Sequence, residues 1–304
     1  MDIVLSAEET ARRLPYPELA DCIAAALLKR RDLVAPERRI VQLEHGSLLV
    51  MPAASRELTI TKLVTVHPEN AHLGLPTIQG EVVVMRSDNG VRLGILDGGT
   101  VTARRTAALS LLAAKTLAPS LDGVLLIFGA GVQARAHLEA FRAGLGIQQV
   151  FVASRTKTKA EQLVAHARSL GLDARFVDNP DEIVADASLV VTATTSRTPV
   201  LTGPLKRNAV VCAVGSFQPE MAEVSADVVG GSRVVVDTLG AAKTEAGDLI
   251  QAAVAGRWRW AEAEQLEDLL AAPTATVDRP TLFKSVGHSL FDLAAAHVAF
   301  GIPI

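Results

Sequence analysis

The chain has 304 residues, a formal net charge of −3 and 49% hydrophobic residues. This length suits two domains with sizeable cores, and the balanced charge, with no long run of one sign, argues against nucleic-acid and membrane partners. Cys22 and Cys212 lie far apart, which argues against a disulfide framework, and no metal site is expected. No signal peptide or apolar run of about 18 residues is evident, so we expect a cytoplasmic protein.

The first part of the chain predicts two helices followed by a largely antiparallel sheet. A capping box, Ser6 to Glu9, opens the first helix, and Tyr16–Lys29 has helical apolar spacing. Lys62 falls inside a predicted strand. It is either a snorkelling edge residue or an interior lysine that needs an anionic partner. The predicted strands are Arg38–Val41, Ser47–Met51, Leu58–Val66, Gly80–Met85 and Val91–Leu96, with a hairpin turn at Asn89-Gly90.

A long helix, Thr102–Ala118, is predicted to follow a turn at Asp97–Thr100 and to link the two domains. Arg104 and Arg105 would lie in its first turn, where the helix dipole disfavours cations unless an anion binds nearby. We expect one of the two arginines to face water.

The next stretch predicts a dinucleotide-binding turn. Leu125–Phe128 is a short apolar strand, and Gly129-Ala130-Gly131-Val132-Gln133-Ala134 after it has the pattern G-x-G-x-x-A. The glycines permit a tight turn and close approach of a pyrophosphate to the helix N-terminus. The alternative is a glycine turn in an unrelated α/β sheet.

The end of the second strand, Gln149–Ala153, indicates which dinucleotide binds. An NAD-preferring fold carries an acidic residue here for the ribose 2′-hydroxyl, whereas this chain carries cations and hydroxyls. A 2′-phosphate would explain them, so NADPH is expected, with NADH weaker. A solvated basic turn is the alternative. The residues are Ser154, Arg155, Thr156, Lys157 and Lys159.

Further parallel strands are predicted at Leu189–Thr192, Ala209–Val214 and Val234–Asp237, giving a six-stranded doubly wound sheet. Ligands of such sheets lie beyond the carboxyl ends of the strands, which selects two loops, although ordinary polar loops would look similar. The selected residues are Ala193, Thr194, Thr195 and Val214. The predicted fold class is α/β, with a Rossmann-type doubly wound parallel sheet at 119–284 and a mixed α+β substrate and dimerisation domain at 1–118, completed by the helical segment 285–304.

The chain resembles the ornithine cyclodeaminase/mu-crystallin family across nearly its whole length. The matching blocks are MPA from Met51, KLVTV from Lys62, GLPTIQG from Gly74, DGGTVTARRTAA from Asp97, GAGVQA from Gly129, SRTKTKA from Ser154 and TLFKSVG from Thr281. The resemblance implies that Arg39, Lys62 and Arg105 hold a substrate carboxylate, with Thr77 close by. Lys62 and Arg105 would take part in catalysis. Arg38 is an alternative to Arg39.

The resemblance also implies that Ser285, Val286 and Gly287 border the nicotinamide and the substrate, and that the protein is a homodimer. Within the family, cyclodeaminases carry an aspartate where this chain has Phe217. The expected activity is therefore NADPH-dependent reduction of cyclic ketimines, Δ1-pyrroline-2-carboxylate or Δ1-piperideine-2-carboxylate, to L-proline or L-pipecolate. Lys62 could manage the imine proton. The alternatives are alanine dehydrogenase or ornithine cyclodeaminase activity, or a non-catalytic NADPH and small-ligand binder like mu-crystallin.

Overall fold

A computed structural model describes residues 4–118, 123–272 and 277–304 of the chain. These residues form two compact units. The antiparallel unit is Met1–Leu109 with His288–Ile304, and the parallel unit is Ser110–Gly287. The domain boundary expected at 118/119 borders residues 119–122, and the amino-terminal stretch considered for a signal peptide includes residues 1–3. Both segments lie outside the described residues.

The antiparallel unit combines a five-stranded sheet with helices from both ends of the chain. Within the described residues the strand order is β1-β2-β3-β4-β5, and every pair is antiparallel. Its first elements are α1 (Ala7–Arg12), α2 (Tyr16–Leu28), β1 (Arg39–Leu43), β2 (Gly46–Ala54), β3 (Leu58–Val66), β4 (Ile78–Arg86) and β5 (Arg92–Asp97), with short 3-10 helices at Arg30–Asp32 and Pro68–Leu73.

The predicted capping box and hairpin are both present. The Ser6 hydroxyl accepts from the Glu9 N–H and the Glu9 carboxylate accepts from the Ser6 N–H. Gly90, at φ 73°, lies in the turn between β4 and β5. Local turn and capping chemistry therefore located these features correctly from sequence.

The helix α3 (Gly98–Leu117) begins earlier than predicted. The Asp97 carboxylate accepts from the Thr100 N–H at 2.7 Å, so the expected turn is the capped first turn of the helix. Arg104 and Arg105 consequently lie in the second turn, so their predicted position in the first turn was wrong and the helix dipole gives no reason to expect an anion there. Arg104 does not simply face water, since its Nε donates to the Leu14 carbonyl at 2.7 Å and its guanidinium lies over the Tyr16 ring.

The parallel unit contains an eight-stranded parallel sheet within the described residues, rather than the predicted six strands. Its order is β12-β11-β13-β10-β9-β6-β7-β8. The strands are β6 (Val124–Phe128), β7 (Gln149–Ala153), β8 (Asp173–Phe176), β9 (Ala187–Thr192), β10 (Val210–Ala213), β11 (Arg233–Val236), β12 (Glu264–Gln265) and β13 (Thr281–Lys284). Five of them correspond to the strands located from sequence. The other three were not located, because β8 is short and polar, β12 has two residues, and β13 ends in a lysine.

Helices connect these strands. They are α4 (Val132–Leu145), α5 (Lys157–Ser169), α6 (Asp181–Val184), α7 (Ala226–Gly231), α8 (Leu239–Glu245), α9 (Gly247–Val254) and α10 (Leu266–Ala271), with a 3-10 turn at Trp260–Glu262. The chain runs outward from β6 to β8 and returns to the other side of β6 at β9. This reversal creates a switch point between β6 and β9, where doubly wound sheets bind ligands.

The last helix, α11 (Ser289–Phe300), belongs to the antiparallel unit and packs on α2, β2 and β3. Nearly all of its side chains are buried, including Asp292. Across the part of the chain that the structure describes, no helix is both long and apolar enough to cross a bilayer.

Candidate functional site

Lys62 lies on the buried face of the antiparallel sheet, with 2% of its surface exposed. In the ladder it stands between Met51 and Val82, both buried. Its Nζ is 2.8 Å from each carboxylate oxygen of Asp292 and 3.4 Å from the Thr102 hydroxyl. Lys62 is therefore an interior lysine with an anionic partner, and the snorkelling alternative does not apply.

Asp292 is shared between two cations. Besides Lys62, it accepts from Arg105 Nε at 3.2 Å, and the carboxylate is fully buried. Two cations on one carboxylate leave one net positive charge in a low-dielectric setting, which favours binding of a further anion. Burial lowers the pKa of Lys62 to about 8; Asp292 opposes the shift, and Arg105 and Arg38 add to it. The ammonium can therefore both bind an anion and exchange a proton near neutral pH.

The sheet register separates Arg38 from Arg39. Arg39 pairs with Val50, which pairs with Leu63, so Arg39 shares the solvent-facing side of the sheet with Leu63. Arg38 precedes β1, and continuing the alternation of side chains would place it on the face of Lys62. Its charge also acts on the Lys62 ammonium. Arg38, the alternative raised from sequence, is thus the better placed cation.

Thr77 lies away from this cluster. It precedes β4, and its carbonyl accepts from the His67 N–H at 2.9 Å, near the end of β3. Val82, the β4 partner of Lys62, comes five residues later, or roughly 16 Å along an extended strand. The structure places Lys62 and Arg105 together and leaves Thr77 outside their contacts.

The G-x-G-x-x-A motif forms the strand-turn-helix expected of it. Gly129 has φ 113°, and its N–H donates to the Ala153 carbonyl at 2.8 Å, which joins the turn to the end of β7. Ala134 is fully buried, as close helix–sheet packing requires. Ala130 and Gly131 complete the turn, and Val132 and Gln133 are the first two residues of α4.

The N-terminus of α4 suits a bound anion. No side chain of the described residues caps it, and Gly131 leaves open space beside the backbone. Among the described residues, the Oε1 atom of Gln133 is buried and has no hydrogen-bond partner, but as an acceptor it gives no support to an anion site. Uncapped N–H groups and an open approach together fit a dinucleotide pyrophosphate.

The basic turn after β7 is accessible. Arg155, Thr156 and Lys159 are exposed and Ser154 is half-buried, with the Ser154 hydroxyl accepting from the Thr156 N–H. The helix α5 begins at Lys157, and its N-cap residue, Thr156, makes no side-chain capping hydrogen bond to the described part of the chain. The Lys157 ammonium lies 5.5 Å from the centre of the Phe176 ring. These groups fit a 2′-phosphate, but they equally fit the solvated turn considered from sequence.

The two loops selected from sequence follow β9 and β10, which are neighbours in the sheet. Ala193 and Thr194 are half-buried, Thr195 is exposed, and Val214 donates its N–H to the Thr192 carbonyl. The chain after β13, the other neighbour of β10, forms the Ser285–Gly287 turn. Because all these strands are parallel, the loops lie along one edge of the sheet.

Asp237 organises the Ser285–Gly287 turn. Its buried carboxylate accepts from the Ser285 hydroxyl at 2.8 Å, the Val286 N–H at 3.1 Å and the Gly287 N–H at 2.8 Å. Gly287 has φ 83°, a conformation that favours glycine. The turn is thereby held in one shape.

Sequence reasoning missed several buried acids that hold the predicted site residues. Asp292 binds the two candidate carboxylate ligands, Asp237 holds the Ser285–Gly287 turn, and Glu223 holds the loops after β9 and β10. An acid inside an otherwise apolar helix was the available signal for Asp292. Within the described ranges 4–118, 123–272 and 277–304, no group of three His, Cys, Asp or Glu side chains could hold a metal ion.

Nearly the whole chain matches one known protein family. Residues 1–301 match the ornithine cyclodeaminase/mu-crystallin family. The chain belongs to this family. Relatives include Delta(1)-pyrroline-2-carboxylate reductase 1 of Burkholderia multivorans, 40% identical over 97% of this chain and 94% of the relative.

Two solved enzyme structures are similar to this protein over almost the whole chain. The Delta(1)-pyrroline-2-carboxylate reductase of Thermococcus litoralis, in complex with NADH and L-proline, is 27% identical with a TM-score of 0.92, covering 98% of this chain and 96% of that chain. An archaeal alanine dehydrogenase dimer with bound NAD is 25% identical with a TM-score of 0.89, covering 99% and 95%. The fold class predicted from sequence is confirmed.

Proposed function

We propose that this protein reduces cyclic ketimines that carry a carboxylate, Δ1-pyrroline-2-carboxylate or Δ1-piperideine-2-carboxylate, to L-proline or L-pipecolate with NADPH. The observation that carries the proposal is the buried Lys62–Asp292–Arg105 cluster, whose net positive charge suits one substrate carboxylate. The 40% identity to a pyrroline-2-carboxylate reductase supports the same substrate class. The small-molecule partner is thus a cyclic imino acid, and the cytoplasm is the proposed location.

The reaction needs one hydride and one proton. A bound reduced nicotinamide supplies the hydride for C2 of the imine. The chain binds and orients the substrate, with Lys62, Arg105 and Arg38 as the proposed carboxylate ligands. Asp292 holds Lys62 and Arg105 in place before substrate arrives, and Lys62, with its pKa of about 8, is suited to supply the nitrogen proton.

The parallel unit is the proposed cofactor-binding unit. Gly129, Gly131 and the N-terminus of α4 would hold the pyrophosphate, and Arg155 with its neighbours would hold a 2′-phosphate. Ser285, Val286 and Gly287 are proposed to border the nicotinamide. NADPH is preferred over NADH in this proposal because the turn after β7 carries cations instead of an acid.

Phe217 argues against ornithine cyclodeamination. It is half-buried in the loop after β10, and the nearby Glu220 is exposed. A phenyl ring cannot activate water or assist loss of ammonia, a role commonly worth about 10²- to 10⁴-fold in rate. It provides an apolar surface that suits the methylene groups of a cyclic imine.

A spectrophotometric assay tests the proposal. We expect NADPH oxidation with Δ1-pyrroline-2-carboxylate and Δ1-piperideine-2-carboxylate, little oxidation with pyruvate plus ammonia, and background ammonia release from ornithine with catalytic NAD⁺. Faster turnover of pyruvate would favour the alanine dehydrogenase alternative. Strong ammonia release from ornithine would overturn the role of Phe217, and NADPH binding without any turnover would favour a non-catalytic binder.

A further inference from the structure

A fully buried group of three charges lies in the parallel unit at the carboxyl ends of β9, β10 and β13. Glu223 and Lys284 are each 0% exposed and Asp248 is 1% exposed. Lys284 is the last residue of β13, and Asp248 lies in the first turn of α9. None of the three belongs to the substrate or cofactor ligands proposed above.

Glu223 joins two loops through both of its carboxylate oxygens. Oε1 accepts from the Thr194 N–H at 2.5 Å, in the loop after β9. Oε2 accepts from the Gly215 N–H at 2.6 Å and the Ser216 N–H at 3.2 Å, in the loop after β10, and from the Thr192 hydroxyl at 3.0 Å. Four donors converge on this carboxylate, which is the pattern of an ionised acid.

The two loops touch at Gly215. A side chain at this position would collide with the Thr194 carbonyl and with Oε1 of Glu223. The relative position of the loops therefore depends on Glu223 remaining in place and accepting hydrogen bonds.

Lys284 and Asp248 are the charged groups that face Glu223, from β13 and α9. Lys284 Nζ lies 2.8 Å from Asp248 Oδ2, and Asp248 Oδ1 accepts from the N–H groups of Glu223 and Val224. Two carboxylates and one ammonium leave one net negative charge. Burial raises the pKa of Glu223, Lys284 lowers it and Asp248 raises it. Loss of Lys284 would therefore favour the protonated acid, which accepts fewer hydrogen bonds.

We propose that Lys284 is a positioning residue that keeps Glu223 ionised, so that Glu223 holds the loops after β9 and β10 in the shape that binds the nicotinamide cofactor. The inference rests on the proposed function for the identity of the cofactor. The positioning step itself concerns the ligand-free protein and can be measured there.

Charge-matched variants provide the test. K284M removes the ammonium and leaves two buried negative charges, whereas D248N removes the competing carboxylate and keeps an amide oxygen for the Glu223 and Val224 N–H groups. The double variant K284M/D248N restores the net charge of the natural group. Arg233→Met is the matched control, because the buried Arg233 forms an ion pair with the partly exposed Glu264 at the amino end of β11, away from the carboxyl ends of the strands of the same sheet.

The first measurement is the NADPH dissociation constant from fluorescence titration as a function of pH. We expect K284M to weaken binding on the order of tenfold at pH 7, as for loss of charge-assisted hydrogen bonds, and the double variant to recover most of the loss. Binding should weaken on acidification as Glu223 gains a proton. The pH at which binding is half lost should be higher in K284M and lower in D248N than in the natural protein. In the double variant it should return to the natural value, and in Arg233→Met it should not change.

The second measurement is amide hydrogen exchange of Thr194, Gly215 and Ser216 without cofactor. Exchange should be faster in K284M and return toward the natural rate in the double variant. This readout remains valid if the protein proves not to bind NADPH, which would contradict the proposed function alone. The positioning role is overturned if the double variant exchanges as fast as K284M, or if K284M matches the natural protein. If K284M does not fold, the D248N variant tests the proposal. Protection of these amides should then be lost at a lower pH than in the natural protein, and loss at the same or a higher pH would overturn the proposal.

Discussion

Asp292 shows why a lysine can occupy the middle of an apolar ladder. An isolated buried ammonium loses so much hydration that it would normally release its proton. At 2.8 Å from both oxygens of Asp292, Lys62 regains part of that energy, and Arg105 shares the same carboxylate. The carboxylate therefore orders both cations without fully neutralising them, which leaves them able to bind a substrate anion.

Variants of Arg38 and Arg39 test which arginine binds the substrate carboxylate. Arg38→Met should lower kcat/KM for the cyclic imine by about 10- to 100-fold, mainly through KM, because it removes a charge-assisted contact with the carboxylate. In Arg39→Met, kcat/KM for the cyclic imine should stay near that of the natural protein, since Arg39 lies on the opposite face of the sheet from Lys62. Steady-state kinetics of the two variants provide the comparison.

The two arginines serve as controls for each other, being adjacent, equally charged and changed to the same residue. NADPH dissociation constants should be unchanged in both variants. A large loss of kcat/KM in Arg39→Met with none in Arg38→Met would show that Arg39 is the carboxylate ligand, as the family resemblance implies, and not Arg38, as the strand register indicates.

Sequence patterns located most elements but could not locate every boundary. Apolar strands such as β6 and β9 were evident, because strands buried on both faces are apolar throughout. The start of α3 was missed because Asp97 could close a turn or cap a helix, and only the Thr100 contact distinguishes them. The strand β13 was missed since its final residue is Lys284, whose burial depends on Asp248, 36 positions earlier in the chain.

The same limit applies to the site. Lys62, Arg105 and the glycine motif could be singled out from sequence by their residue types and spacing. Their supporting acids could not, because Asp292 meets Lys62 across 230 positions and Asp237 meets Ser285 across 48. Such pairs depend on tertiary packing, which one sequence does not show. The cofactor preference of the β7–α5 turn likewise stays a prediction.

In the turn between β7 and α5, Arg155→Ala should raise the KM for NADPH by about 10- to 100-fold and leave the KM for NADH nearly unchanged, because only NADPH has the 2′-phosphate. Lys159→Ala should have a smaller effect in the same direction, since a single ammonium cannot make the paired contact of a guanidinium. Kinetics with both cofactors at saturating imine provide the measurement. Equal losses with NADPH and NADH would contradict a phosphate-binding role and favour the solvated turn.

The face of the antiparallel sheet opposite Lys62 carries several exposed apolar side chains. Val41, Leu43, Leu63 and Met85 share this face, as the strand pairings show, and each is 37 to 42% exposed. Apolar surfaces of this kind usually mark association sites. A second copy of the chain is the proposed occupant, because the family resemblance implies a homodimer and the similar archaeal alanine dehydrogenase is a dimer.

Leu63→Glu should therefore convert the proposed homodimer into a monomer. Association would bury the new carboxylate without a partner, at a cost of several kcal/mol. Light scattering after size-exclusion chromatography should give twice the 32.0 kDa chain mass for the natural protein and a single chain mass for the variant. Val254→Glu is the control, because Val254 is 85% exposed in the parallel unit and lies outside this face, so its mass should remain that of the dimer. A monomeric natural protein, or a Leu63→Glu variant that remains dimeric with an unchanged unfolding temperature, would show that this face does not join two copies.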